Sequence, residues 1–132
     1  MQGKFFAALA VAAAFGLASP ASADVSAFGG HWNNVDPATT SIVTVDMTIR
    51  GGGALYVHPW GACTPTPCDW GMKLTTPTVP GVAYTVTYNQ GFAVKKLGIT
   101  IIAGGKLQIV TNVVFTDNSG RAPYQKTDVF TH

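Results

Sequence analysis

The sequence has no glutamate, only two cysteines, few charged residues and, beyond residue 24, no stretch of helical periodicity. Each absence excludes something. Without glutamate, a glycosidase carboxylate pair would have to come from aspartate alone, and the six aspartates are scattered along the chain. No basic run or stripe suggests a nucleic-acid partner, and no block of like charge suggests a tail. No Gly-x-Ser-x-Gly elbow surrounds any serine. Of the later serines, Ser26 falls in what reads as a flexible leader and Ser119 in a turn. A zinc site needs four ligands, and no second cysteine pair accompanies Cys63 and Cys68. Their spacing is also wrong for a redox Cys-x-x-Cys motif. No cofactor or metal is expected.

What is present begins with an export signature. Lys4 precedes the apolar run "FFAALAVAAAFGL", and "ASPASA" ends at Ala23 with small residues. This reads as a secretory signal peptide over 1–23, too short to serve as a membrane span, which needs about 20 apolar residues. The chain from 24 to 132 is then expected to be one domain outside the cytoplasm, secreted or periplasmic, with no membrane span after cleavage. Eight basic residues face six acidic ones, so loss of Lys4 leaves a balance close to neutral.

Strict alternation of apolar and polar residues dominates this part of the chain, the mark of half-buried strands. In "SIVTVDMTIR" (41–50), Val43, Val45, Met47 and Ile49 share one face. In "VAYTVTY" (82–88) the same holds for Val82, Tyr84, Val86 and Tyr88. Leu97, Ile99 and Ile101 repeat the pattern, as do Leu107, Ile109, Val113 and Phe115. With "GHWNN" (30–34), "ALYVHPW" (54–60), "DWGMKLT" (69–75) and "YQKTDVFT" (124–131), the count reaches eight short strands joined by tight turns such as "GGG" (51–53) and "AGG" (103–105). Sequential strands with short turns pair as a meander. The expected fold is all-β, an eight-stranded antiparallel up-and-down barrel, with a β-sandwich as the alternative. "DNSGRAP" (117–123) has glycine in the wrong place for a calcium loop and reads as a capped turn.

The densest segment is "PWGACTPTPCDWG" (59–71). An even cysteine count in an exported chain reads as a disulfide, Cys63 to Cys68. Pro65 and Pro67 already stiffen the loop, so the bond chiefly fixes the shape of a tip between two strands. Trp60 and Trp70 flank it and offer an aromatic platform for a sugar ring or a partner protein, or else pack against the disulfide. His58 shares a face with Tyr56 and Trp60 and is expected outside the barrel. Asp46 and Asp128 lie within strands and are expected to face solvent, since an inward carboxylate is costly. His132, the last residue, is expected to be mobile.

The run Gly30, His31, Trp32, Asn33, Asn34 resembles the Gly-x-Trp opening of the calycin barrels, the lipocalins and avidins, and is closer to the avidin form Gly-x-Trp-x-Asn. The resemblance implies that Trp32 closes one end of a barrel, under a late basic side chain such as Arg121, and that Asn34 contacts a ligand. Val35, Asp36, Pro37 and Ala38 stand where avidins carry a serine, and no tryptophan follows Trp70, so biotin is not the implied ligand. "WGACTPTPCDWG" and "FTDNSGR" also look like a pattern of small secreted bacterial proteins.

The expected function is therefore non-enzymatic binding outside the cytoplasm, through Trp60, Trp70 and His58 at the tip and Trp32 and Asn34 at the barrel mouth. A small apolar molecule, a glycan or an extracellular protein surface would be the partner. The alternatives are a protease-inhibitor-like role for the stiff loop, or a small hydrolase using His58 and an aspartate.

Overall fold

The computed structural model describes residues 24–132, so the expected leader lies outside the described residues. A 3-10 turn over Val25–Phe28 comes first, capped by Asp24, whose carboxylate accepts from the Ser26 amide at 3.0 Å. The segment read as a flexible leader is thus anchored: Phe28 is fully buried. Ten antiparallel strands follow, in a single sheet. They are β1 (Gly30–Asn34), β2 (Ile42–Arg50), β3 (Ala54–Gly61), β4 (Cys68–Asp69), β5 (Lys73–Leu74), β6 (Thr76–Val79), β7 (Ala83–Asn89), β8 (Ala93–Ile102), β9 (Lys106–Phe115) and β10 (Tyr124–Thr131).

The spatial order is β4-β3-β2-β1-β10-β9-β8-β7-β6, with β5 also on β3. The first and last strands therefore pair, Asn34 opposite Phe130. The ladders nevertheless form a path with two ends rather than a ring, so the closed eight-stranded barrel is not what the hydrogen bonding shows. The expected fourth strand accounts for the difference. Expected over 69–75, it is broken into β4 and β5 around Gly71, whose φ of 89° favours glycine, and a further short strand, β6, follows where none was expected. β5 pairs with β3, while β6, one residue further on, pairs with β7.

One backbone hydrogen bond and several side-chain bonds tie these two ends together. The Thr75 amide donates to the Leu55 carbonyl at 2.8 Å, and the Leu55 amide to Thr75 Oγ1 at 3.3 Å. Tyr84 Oη donates to the Gly53 carbonyl at 2.6 Å. Tyr88 Oη lies 2.9 Å from the Gly71 carbonyl and 3.2 Å from that of Val57. Lys73 Nζ donates to the Thr87 carbonyl at 2.7 Å.

One core lies on the inner face, and alternation sets its membership: Val45, Met47, Leu55, Val57, Tyr84, Val86, Tyr88, Leu97, Ile99, Ile101, Leu107 and Ile109 all belong to it. Val43 does not. A register shift between Ile42 and Thr44 inserts one residue, so Ile42 rather than Val43 is buried. At one end, here called the floor, the 3-10 turn and the 51–53 and 80–82 turns converge. Phe28 and Tyr84 meet edge to face at 4.9 Å, and Trp32 Nε1 donates to the Phe28 carbonyl at 2.9 Å. The β2–β3 turn needs φ of about 80° at Gly52 and Gly53, which residues with a Cβ resist. Antiparallel succession puts the 35–41, 62–67, 90–92 and 116–123 connections at the opposite end, the mouth.

Candidate functional site

The cysteine tip forms as expected. Cys63 and Cys68 are disulfide-bonded with their Cα atoms 5.5 Å apart. Chain entropy assigns such a short loop a stabilisation of about 2 kcal/mol. Its two tryptophans do not make a shared platform, because strand alternation sends them to opposite sides. Trp60 points outward and stacks on His58 at 3.9 Å between ring centroids. Trp70 turns inward, packs against the core and meets Tyr88 edge-on at 5.8 Å. It fits only because residue 61 lacks a side chain: an ideal Cβ on Gly61 would lie 2.5 Å from Trp70 Nε1.

Inside the tip, at the mouth, a groove of about 400 Å³ opens between the disulfide and the β7–β8 turn. Trp70, Tyr88 and Phe92 supply its aromatic wall; Thr40, Ser41, Asn89 and Gln90 supply neutral hydrogen-bonding groups. Two charged residues line it, Asp69 and Lys95. Lys95 lies in phase with Ala93 and Leu97 on the inner row of β8. Its ammonium sits 4.6 Å from the Trp70 ring centroid and 5.5 Å from that of Phe92. Burial holds its pKa below the ordinary lysine value. The Tyr88 phenol is pushed above its usual range, first by burial and then by the Asp69 charge.

A second polar cluster lies on the inner side of β10. Asp128, expected to face solvent, is 4 % exposed. Its Oδ1 accepts from Asn34 Nδ2 at 2.9 Å, Thr39 Oγ1 at 3.2 Å and Lys126 Nζ at 3.1 Å, which offsets the burial. Its Oδ2 has no protein partner, nor does buried Thr111 Oγ1. Asn34 is committed within this network. Its amide also donates to the Ile42 carbonyl at 2.9 Å, and its Oδ1 accepts from the Asp36 amide at 2.8 Å. Those bonds hold the β1–β2 loop in place and leave little of the side chain for a ligand.

The outer face carries a row of imidazoles and carboxylates. Asp46 stands opposite both His31 and His58 in the ladders. His31 Nδ1 is 2.5 Å from Asp46 Oδ1, and His58 Nε2 is 2.5 Å from Asp69 Oδ1. Asp46 thus faces outward, as expected, and so does His58. The His58 hydrogen bond, helped by the Gly71 amide, holds the Asp69 carboxyl below its ordinary range. Asp69 is exposed, with side-chain accessibility of 58 %, so His58 does not meet a buried carboxylate. A shallow depression of about 480 Å³ lies beside this row, bounded by His31, Thr44, Asp46, Trp60, Thr66 and Pro67. Among the described residues, no three His, Cys, Asp or Glu side chains gather as a metal site would require.

Trp32 is a floor residue with no exposure. Arg121 does not cover it: the guanidinium lies 3.8 Å from the Phe115 ring centroid and pairs with Asp117 at 2.8 Å. His132 covers Trp32 instead, ring to ring at 3.7 Å, and its Nδ1 lies 3.1 Å from the His31 carbonyl. The terminal histidine is therefore placed against the fold, not left free.

No family model matches the chain, and neither the curated proteins nor the solved structures contain a significant match. No helix among the described residues is long and apolar enough to cross a membrane.

Proposed function

We propose that this chain is an exported binding protein without catalytic activity, and that its ligand is a glycan held in the mouth groove. The observation that carries the reading is the composition of that groove. An aromatic wall stands beside neutral amides and hydroxyls, within a volume of about 400 Å³ suited to one or two sugar rings. A small apolar molecule would cover the side chains of Gln90, Thr40 and Ser41 without offering them partners, at a cost for each polar group it shields from water. The disulfide keeps the groove preformed, which lowers the ordering cost of binding. Export before folding explains how a cysteine pair comes to be oxidised. The sheet acts in this reading as a barrel-like shell whose seam at Thr75 is pinned by one backbone hydrogen bond and by side chains. The resemblance to calycin barrels is kept only at that level, since Asn34 serves the loop. The hydrolase alternative draws less support, because the carboxylate on His58 is exposed.

A glycan array probed with the protein from 24 to 132 tests this. The reading expects retention of a limited set of glycans, lost in the double variant Asn89→Ala/Gln90→Ala with the circular dichroism spectrum unchanged. No retained glycan, or retention indifferent to that variant, would contradict it.

A further inference from the structure

The groove contains one cation with no anion to match it. Lys95 is half-buried and in phase with the core residues of its strand. Ion pairs in the described residues involve His31, His58, Arg121 and Lys126, and none involves Lys95. The other charged residue of the lining, Asp69, is engaged by His58 and by the Gly71 amide at 2.7 Å. The ammonium therefore rests on the Trp70 and Phe92 rings alone, 4.6 and 5.5 Å from their centroids. A ring face attracts a cation but replaces only part of the water it loses. Three N–H donors on one ammonium, beside two rings and facing an open groove, form a receptor for an acceptor group of negative charge.

On these grounds we infer that the groove selects an acidic sugar, a uronate, whose carboxylate is bound by Lys95 while its hydroxyls meet Asn89, Gln90 and Ser41. This rests on the glycan reading above. The choice of carboxylate over a phosphate monoester, a dianion, follows from the charge count. A single ammonium faces the site, no arginine fork lines it, and Asp69 contributes a negative charge nearby. A monoanion suits that balance, and a dianion would meet uncompensated repulsion from Asp69. A neutral sugar would leave the partly desolvated ammonium without a counter-charge.

Tri-galacturonate and tri-galactose isolate the question, because each ring differs only in whether C6 is a carboxylate or a hydroxymethyl group. Both would be titrated calorimetrically into the wild-type protein and into Lys95→Met and Lys95→Arg, with amide NMR spectra of each variant to confirm an unchanged fold. The expected result is that the uronate binds at least about 10-fold more tightly than the neutral trimer, which is a ratio typical of one charged hydrogen bond. Met should abolish that ratio and Arg should retain most of it. Equal affinities would overturn the uronate inference and leave the groove as a neutral-sugar site. Absence of binding by either trimer, with no groove resonance moving, would count against the glycan reading itself. A peptide with a free C-terminal carboxylate that displaces the uronate at lower concentration would place the anion on a protein chain and overturn the inference on its source.

Discussion

The floor and the mouth of this sheet are built from the same ten strands by opposite rules. At the floor, Phe28, Trp32 and Tyr84 are wholly buried, and each polar handle finds a backbone partner: Trp32 Nε1 on Phe28, Tyr84 Oη on Gly53. At the mouth, charges point inward. Lys95 and Asp128 occupy inner-row positions, and one oxygen of Asp128 has no protein partner. Stability is cheapest where inner rows stay apolar, so polar groups placed on those rows mark the end where something other than stability is served. The contrast teaches that alternation decides which way a residue points, while the exceptions to apolar identity along an inner row locate the candidate site.

The largest test of the contrast is Trp32→Ala. Removing the fully buried indole should cost about 3–5 kcal/mol in a urea melt, and a destabilised but folded variant should keep its mouth intact. A cost below about 1 kcal/mol would mean that the floor does not carry the fold. Gly61→Ala attacks the mouth by sterics alone. Because the new Cβ would lie 2.5 Å from Trp70 Nε1, the indole must move. The expected penalty is about 1–3 kcal/mol, with loss of ligand binding out of proportion to it. A smaller effect belongs to Tyr88→Phe, which removes the donor shared between the Val57 and Gly71 carbonyls. It should cost about 1 kcal/mol and raise hydrogen exchange locally across β3 and β7. Uniform loss of protection would argue against a discrete seam.

The last and smallest effect concerns pH. The Asp69 carboxyl titrates below its ordinary range because His58 and the Gly71 amide hydrogen-bond to it. Its folded pKa lies below its unfolded one. The stabilisation it brings is therefore present above the ordinary carboxylate range and fades as pH falls through the lowered value. Carbon-detected NMR should show the Asp69 midpoint rising towards the ordinary value in His58→Gln. An unchanged midpoint would mean that the imidazole is not the cause.

Much of this was legible in the sequence. Alternation marked the inner rows of β2, β7, β8 and β9, and the cysteine spacing marked the tip. The break of the strand expected over 69–75 into β4 and β5, and the extra strand β6 after it, were not legible, because they depend on which neighbour each piece finds. The outward turn of Val43 is hidden for a related reason: a bulge changes phase without changing composition. Nothing local in the sequence indicates that His132 lies on Trp32. The missed groove residue had left a signal. Lys95 is in phase with Leu97, Ile99 and Ile101, just as Asp128 is in phase with Phe130, and a charge in an inward row is a signal the sequence itself carries. Trp60 and Trp70 flank the loop symmetrically in the sequence, and only strand parity separates them: Trp60 stands opposite Asp69, so Trp70 falls on the inner side.

The three tryptophans now report on three regions: Trp32 on the floor, Trp60 on the outer face and Trp70 at the mouth. One titration of indole-¹⁵N-labelled protein with tri-galacturonate, followed by NMR, would test the assignment of function to the mouth. The account predicts that the Trp70 resonance moves and saturates while those of Trp32 and Trp60 hold still. Movement of Trp60 with Trp70 unchanged would transfer the binding site to the outer face and contradict it.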